Sequence, residues 1–318
     1  MDTDDRARRA QLVLSRDTMT AAERMAVARA TRGAELTRVA RGAYFPSSVW
    51  DGWDDDVRYR LLIHAVEAVL PGDLLVSHES AAALWRLPTP TRWPAVVHVT
   101  APPAAGGRSN AHVFRHTTVR SADPEFIDGI AVTTVARTLV DLARTAPFVR
   151  AVVAIDAALD HPGPDDVGRA VPSREALLEE LARVAPKQGR KRAAEALDFG
   201  NGLAGSVGES VSRVTMARLR VPSPVLQQTF PNPEGGSWSV DFWWPDYSLA
   251  GEFDGHGKYL RHEYLNGRTT AEVLIEEKRR EDAIRAQGAR FVRWGWAEAR
   301  NPRQLGALLA RAGLPVRY

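Results

Sequence analysis

A chain of 318 residues with 44% hydrophobic and 25% charged side chains has the composition of an ordinary folded protein, long enough for two or three domains. Its 42 Lys and Arg stand against 39 Asp and Glu, a net charge of only +3, so affinity for nucleic acid must come from local basic patches. The lack of cysteine excludes disulfides, thiol nucleophiles, zinc fingers and iron–sulfur ligation, and leaves oxygen and imidazole donors for any metal, with hard ions such as magnesium the best match.

The chain opens on MDTDDRARRA, charged where a signal peptide would be apolar, and no apolar run reaches the roughly 18 residues of a membrane helix. A cytoplasmic protein with no membrane partner is expected. Helical periodicity is read at 5–14 and 20–30, the second opened by Thr20 with Glu23 three residues on, the capping-box spacing. LTRVARGAYF at 36–45 alternates around Arg41-Gly42, the pattern of two short strands and a turn. Small helices followed by a basic hairpin make a winged-helix arrangement over residues 1–56, with one helix in the DNA major groove and Arg38 and Arg41 approaching phosphates. The alternative is a small helical segment in which those arginines are surface charge.

After an acidic joint at 51–56, the stretch 57–199 reads as a mixed α/β domain. Helices are expected at 57–70, 77–87, 133–143, 150–159 and 173–184, and short strands at 96–100 and 113–117 on either side of the loop APPAAGGRSN. His78, His98, His112 and His116 lack the i, i+4 spacing of helical metal ligands and are read as structural, hydrogen-bonding side chains, although His112 and His116 could share one strand face. The run APKQGRKR at 185–192 carries four positive charges and reads as an exposed basic connection, either a solvated linker or a phosphate contact. The last boundary falls near residue 200, leaving 200–318 as a third domain.

That third domain begins with Ser206-Val207-Gly208-Glu209, an S-x-x-E capping box. Capping alone accounts for Glu209, with its carboxylate returning to the Ser206 amide; the alternative projects it into a site formed by the strands that follow. Strands are expected at 225–230, 238–244 and 248–254, as a three-stranded antiparallel meander. Period-two alternation puts Val240, Phe242 and Trp244 on one face and Asp241 on the other, and places Glu252 and Asp254 together with Phe253 reversed.

Carboxylates at adjoining strand ends repel and raise one another's pKa unless a cation joins them. Magnesium, or manganese in its place, suits two strand carboxylates and a phosphate oxygen, where it would polarise a phosphodiester and lower the pKa of an attacking water. Asp241, Glu252 and Asp254 are therefore candidate catalytic acids, with surface charge on an edge hairpin as the competing reading. GHGKYLR follows, bringing His256 and Lys258 close in sequence, where a cation would orient water or neutralise a transition state. A helix at 271–287 carries Arg280 and Arg285, candidate nucleic-acid contacts or members of i, i+4 pairs on a solvated face. Gly288 ends it, ahead of a strand at 290–294.

GESVSRV, PSPVLQQTF, VDFWWPDYSLAGEFDG, EKRREDAIRAQGARFVRW and a terminal helix at 301–312 resemble, in order and in strand–helix context, the DUF559 family. That family is a branch of the PD-(D/E)XK nuclease superfamily related to very-short-patch repair endonucleases. The resemblance implies a restriction-endonuclease-like fold, a central mixed sheet flanked by helices. It further implies metal ligation by Glu209, which matches a helix glutamate, by Asp241, which matches a metal aspartate, and by Glu252, the acid of the E-x-D motif that Glu252 and Asp254 match. The superfamily motif ends in lysine two residues after the acid, and that position here is Asp254; Lys258 or Lys278 would supply the cation from elsewhere. LTRVARGAYF, VSHESAAALWRL and TTVARTLVDLA are similar to the AbiEi-type antitoxins of abortive-infection systems, although the turn ATRGAEL departs from them. This second resemblance implies a winged-helix DNA-binding segment ahead of an α/β domain, and a toxin or defence-system partner.

The whole is expected to be a multidomain α/β protein acting as a metal-dependent DNA endonuclease, guided to DNA by its amino-terminal segment. The alternative is a DNA-binding transcriptional regulator or antitoxin-like protein whose nuclease fold has lost turnover.

Overall fold

Local capping and one tight hairpin set the first elements of the computed structural model, which describes residues 3–17, 20–70, 74–101, 109–118, 123–160, 170–185, 187–255 and 270–317. These elements are α1 (Thr3–Arg9), β1 (Val13–Leu14), α2 (Ala21–Arg32), β2 (Leu36–Ala40), β3 (Ala43–Pro46) and α3 (Ser47–Trp50). Glu23 N donates to the Thr20 hydroxyl at 3.1 Å and Thr20 N donates to the Glu23 carboxylate at 2.8 Å, which is the capping box read from the spacing. Gly42, with φ of +84°, makes the turn between β2 and β3. The helix predicted at 5–14 stops at Arg9, because Val13 and Leu14 pair instead with Tyr44 and Ala43 and add a third strand in the order β1-β3-β2. Pairing with the hairpin overrides the local helical pattern.

Next come α4 (Asp55–Val69), β4 (Leu75–Val76), α5 (His78–Leu84), β5 (Val97–Ala101), β6 (Val113–Thr117), β7 (Glu125–Ile127), β8 (Ile130–Val132), α6 (Val135–Thr145), α7 (Phe148–Leu159), α8 (Arg174–Arg183) and α9 (Arg190–Phe199). The sequence predicts two strands here; the structure has a five-stranded sheet in the order β6-β5-β4-β8-β7, with β5 and β6 parallel. The additional strands are only two or three residues long, too short for alternation to show. Side chains from before and after the acidic joint share one core, in which Ala40, Ala43 and Phe45 belong with Leu61, Leu139 and Leu197. Residues 187–192 of the basic run meet both α6 and α8: Arg144 Nε donates to Gln188 O at 3.0 Å, and Arg190 Nη2 donates to Ala182 O at 3.0 Å.

The chain divides into two units, Met1–Gly200 and Asn201–Tyr318. The second contains α10 (Val207–Arg218), β9 (Val225–Pro231), β10 (Ser237–Trp244), β11 (Leu249–Phe253), α11 (Thr270–Ala286), β12 (Arg290–Trp294), α12 (Trp296–Ala299) and α13 (Pro302–Arg311). β9, β10 and β11 form the antiparallel meander, and β12 joins β11 in parallel, giving the mixed order β12-β11-β10-β9. On one face Phe242, Trp244 and Trp294 stack beneath α10, where Trp294 Nε1 donates to Ser212 Oγ at 2.8 Å. On the other, Ile284 of α11 packs with Val240, Ala250 and Ala289. Strict alternation would hold Val240 with Phe242 and Trp244; the structure parts them, and the break falls at Asp241. Among the described residues no helix is long and apolar enough to cross a membrane.

Candidate functional site

Glu209 sits in the first turn of α10, with its N–H donating to Ser206 Oγ at 3.2 Å. Its carboxylate is buried and engaged at both oxygens: Oε1 accepts from the Ser206 hydroxyl at 2.8 Å, and Oε2 accepts from Gly205 N at 2.9 Å and Gln227 Nε2 at 3.0 Å. The amide it returns to is that of Gly205, one residue before the one the spacing predicts. Gly208 brings this turn down onto the sheet, since a Cβ there would overlap the Phe253 ring.

Asp241 lies where the strand pairing is irregular. Val240 pairs with Gln228 and Phe242 with Leu226, while Gln227 between those partners adopts φ of +50°, a left-handed conformation uncommon for a non-glycine residue. Phe253 N donates to Asp241 Oδ2 at 2.9 Å, so a side chain stands where a strand carbonyl would. Consecutive strand residues face opposite ways. Phe253 turns toward Gly208 of α10, and Glu252 turns toward α11.

Glu252 is 8% exposed, and two guanidiniums converge on it. Arg280 Nη2 of α11 meets Oε1 at 2.5 Å, and Arg293 Nη2 of β12 meets Oε2 at 2.8 Å. Arg280 also donates to Ser239 O at 2.8 Å and to Glu277, while Arg293 reaches Glu277 at 2.7 Å and Glu281 at 2.9 Å. Burial pushes the Glu252 carboxyl above its ordinary value against the pull of both arginines. On Glu277 burial also works upward, but Arg280 and Arg293 outweigh it and hold that carboxyl below its ordinary value.

Of the remaining expected residues, Asp254 is half-buried and donates its N–H to Trp294 O at 2.8 Å, continuing the β11–β12 pairing. His256 and Lys258 lie outside the described residues. Arg285 pairs with Glu281 at 2.7 Å and lies 5.1 Å from the centre of the Phe291 ring, as the i, i+4 reading anticipates. Arg280 and Arg285 are thus both engaged inside their own unit.

The fit to a divalent cation can be judged from these partners. Among the described residues no three His, Asp or Glu side chains are grouped so as to hold a metal ion. Glu209 faces Gln227, Asp241 faces the Phe253 amide, and Glu252 has its charge balanced by Arg280 and Arg293. In this arrangement the donor set does not fit magnesium, which requires near-octahedral oxygen coordination. Gln227 and Arg293 were not singled out by the sequence, because each acquires its place only through strand register.

In the first unit, α2 has no buried side chain, and Arg24, Arg29 and Arg32 are exposed along it. Arg38 on β2 and Arg41 at the following turn are also exposed. Arg41 borders a cavity of about 440 Å³ together with Arg16, His112 and the apolar Val66, Val69 and Leu70.

No protein-family model matches the chain. Two uncharacterized proteins of Mycobacterium tuberculosis, from strains CDC 1551 / Oshkosh and ATCC 25618 / H37Rv, are each 28% identical to it over 232 residues, spanning 68% of this chain and 80% of theirs. A crystal structure of the RV2827C protein from Mycobacterium tuberculosis aligns with a TM-score of 0.39 and 16% identity, over 73% of this chain and 88% of that one.

Proposed function

We propose that the chain is a DNA-binding protein of the regulator or antitoxin-like class, whose second unit resembles a nuclease fold with its Glu252 carboxylate neutralised by arginine. The observation that carries the DNA-binding reading is α2. A helix that buries none of its twelve residues and exposes Arg24, Arg29 and Arg32 is available to enter a groove. The β2–β3 hairpin beside it in sequence, with Arg38 and Arg41, would act as the wing against the phosphate backbone. In the second unit, the order α10-β9-β10-β11-α11-β12 supports the restriction-endonuclease-like reading of the fold. The two guanidiniums on Glu252 support the reading without turnover, since they supply the positive charge that a cation would otherwise bring.

A second reading, a magnesium- or manganese-dependent endonuclease, is favoured by one observation. Gln227 ties Glu209 to the strand beside Asp241, and Asp241 is tied in turn to the residue following Glu252. That reading requires Glu252 to leave Arg280 and Arg293.

Supercoiled DNA incubated with the purified chain, with and without magnesium or manganese, separates the two. The first reading predicts retardation in a gel without nicking, unchanged by Asp241→Ala or Glu252→Ala. Metal-dependent nicking lost in both variants would establish the second, and failure to bind DNA at all would overturn both.

A further inference from the structure

We propose that the cavity between the β2–β3 turn and the end of α4 binds a small organic anion, a carboxylate on an apolar body. Its volume of about 440 Å³ falls within the range of about 300–1,000 Å³ usual for small-molecule sites. Its two sides differ in chemistry. Val69 and Leu70, half-buried at the end of α4, make an apolar wall backed by the buried Val66 one helical turn earlier. Arg16, Arg41 and His112 supply the polar side. An apolar body laid on that wall removes it from water, and the guanidiniums decide the charge of the end that faces them.

The polar side is built into the fold. Leu14 pairs with Ala43, and Ser15 N donates to Gly42 O at 2.8 Å, so the segment carrying Arg16 is stitched to the turn carrying Arg41. Across the cavity the backbone of His112 is fixed at both ends, its N–H donating to Asn110 Oδ1 at 2.8 Å and its carbonyl accepting from Val97 N at 2.8 Å. Among the described residues the Arg41 guanidinium has no hydrogen bond or ion pair, and Arg16 meets Asp17 at 3.7 Å with both side chains exposed. A planar carboxylate matches a guanidinium fork, and the His112 ring offers one more polar contact. A nucleotide suits the site less, because its sugar and base edges would face Val69 and Leu70 without polar partners.

The site has a consequence for DNA that rests on the DNA-binding reading above. Arg41 is the wing residue assigned there to the phosphate backbone, and the same guanidinium lines the cavity. A carboxylate that engages it withdraws a positive charge from the duplex, so anion and DNA weaken each other's binding by the same factor.

The test titrates the full chain with octanoate and with 1-naphthoate by calorimetry, beside the neutral 1-naphthamide. One equivalent of acid is expected, with the amide weaker by at least about tenfold. Arg41→Ala, at an exposed position that leaves the fold intact, should weaken 1-naphthoate by a similar factor, and Val69→Asp, checked for folding by its melting temperature, should abolish binding. Arg183→Ala, an exposed cation that does not line the cavity, should bind as the unmodified chain does. No binding of either acid, equal binding of the amide, or binding undiminished in Arg41→Ala would overturn the proposal. Saturating 1-naphthoate should raise the Kd for a labelled duplex at least about fivefold in the unmodified chain and leave Arg41→Ala unaffected. Anion binding without DNA binding would overturn the DNA-binding reading and leave the site standing, whereas DNA binding without anion binding would do the reverse. Binding of both with no mutual effect would overturn the coupling through Arg41.

Discussion

Glu252 and Arg293 are Cα partners on the parallel strands β11 and β12, and Arg293 Nη2 lies 2.8 Å from Glu252 Oε2. A carboxylate only 8% exposed is costly to leave unpaired, because burial removes its hydration and only a matched charge offsets the loss. Arg293→Ala leaves Arg280 as the remaining guanidinium on Glu252, and should destabilise the chain by roughly 1–3 kcal/mol in urea unfolding. Adding Glu252→Gln to that variant should cost less than the two single changes summed, because the charge that Arg293 serves is gone. Strict additivity would show that the pair is not coupled.

The closeness of α10 to the sheet gives a second prediction. Alanine favours a helix over glycine by about 1 kcal/mol, but at Gly208 its methyl would overlap the Phe253 ring. That ring is held edge-on against Trp296, with centres 5.0 Å apart, and has little room to yield. Gly208→Ala should therefore destabilise by roughly 1–3 kcal/mol, measured as a lower melting temperature, and Phe253→Leu in the same chain should recover part of the loss.

A third concerns pH. His64 on α4 is buried, and burial first, then the positive charge of Arg9, lowers it to about 4; Arg60 acts in the same direction, while Asp128 and Asp5 oppose. The unfolded imidazole titrates near 6.5, so between about pH 6.5 and 4 the unfolded chain binds a proton that the folded chain refuses. Stability is complete above pH 6.5 and is lost as pH falls toward 4. His116 and His98 act in the same sense. His64→Leu should flatten this dependence by at most about 3 kcal/mol across the window; an unaltered slope would contradict the assignment.

The readable parts of the sequence were those whose cause is local. Thr20 and Glu23, and Ser206 and Glu209, announce helix starts because capping operates across three residues. The β9–β10–β11 meander is legible because its turns are short and its strands rich in β-forming residues, although alternation misassigns the face of Val240. Features that depend on distant pairing were not legible. Val13 and Leu14 follow a helical pattern, yet Tyr44 and Ala43 capture them as a strand. His78, His98 and His116 meet only because β5 and β6 run parallel in one register, and His112, the histidine whose spacing from His116 drew notice, borders a cavity instead. In the second unit the same limit applies to Arg293. Alternation in RFVRW sets Arg293 on the face of Phe291, but its pairing with Glu252 depends on the parallel register.

Contact between α2 and DNA, as proposed, would show in the salt dependence of binding. Fluorescence anisotropy on a labelled duplex, repeated across a series of salt concentrations, should give a steep negative slope for the unmodified chain. Changing Arg24, Arg29 and Arg32 together to alanine should weaken affinity and reduce that slope by about 1 for each arginine that contacts phosphate. Affinity and slope both equal to those of the unmodified chain would show that α2 does not touch DNA.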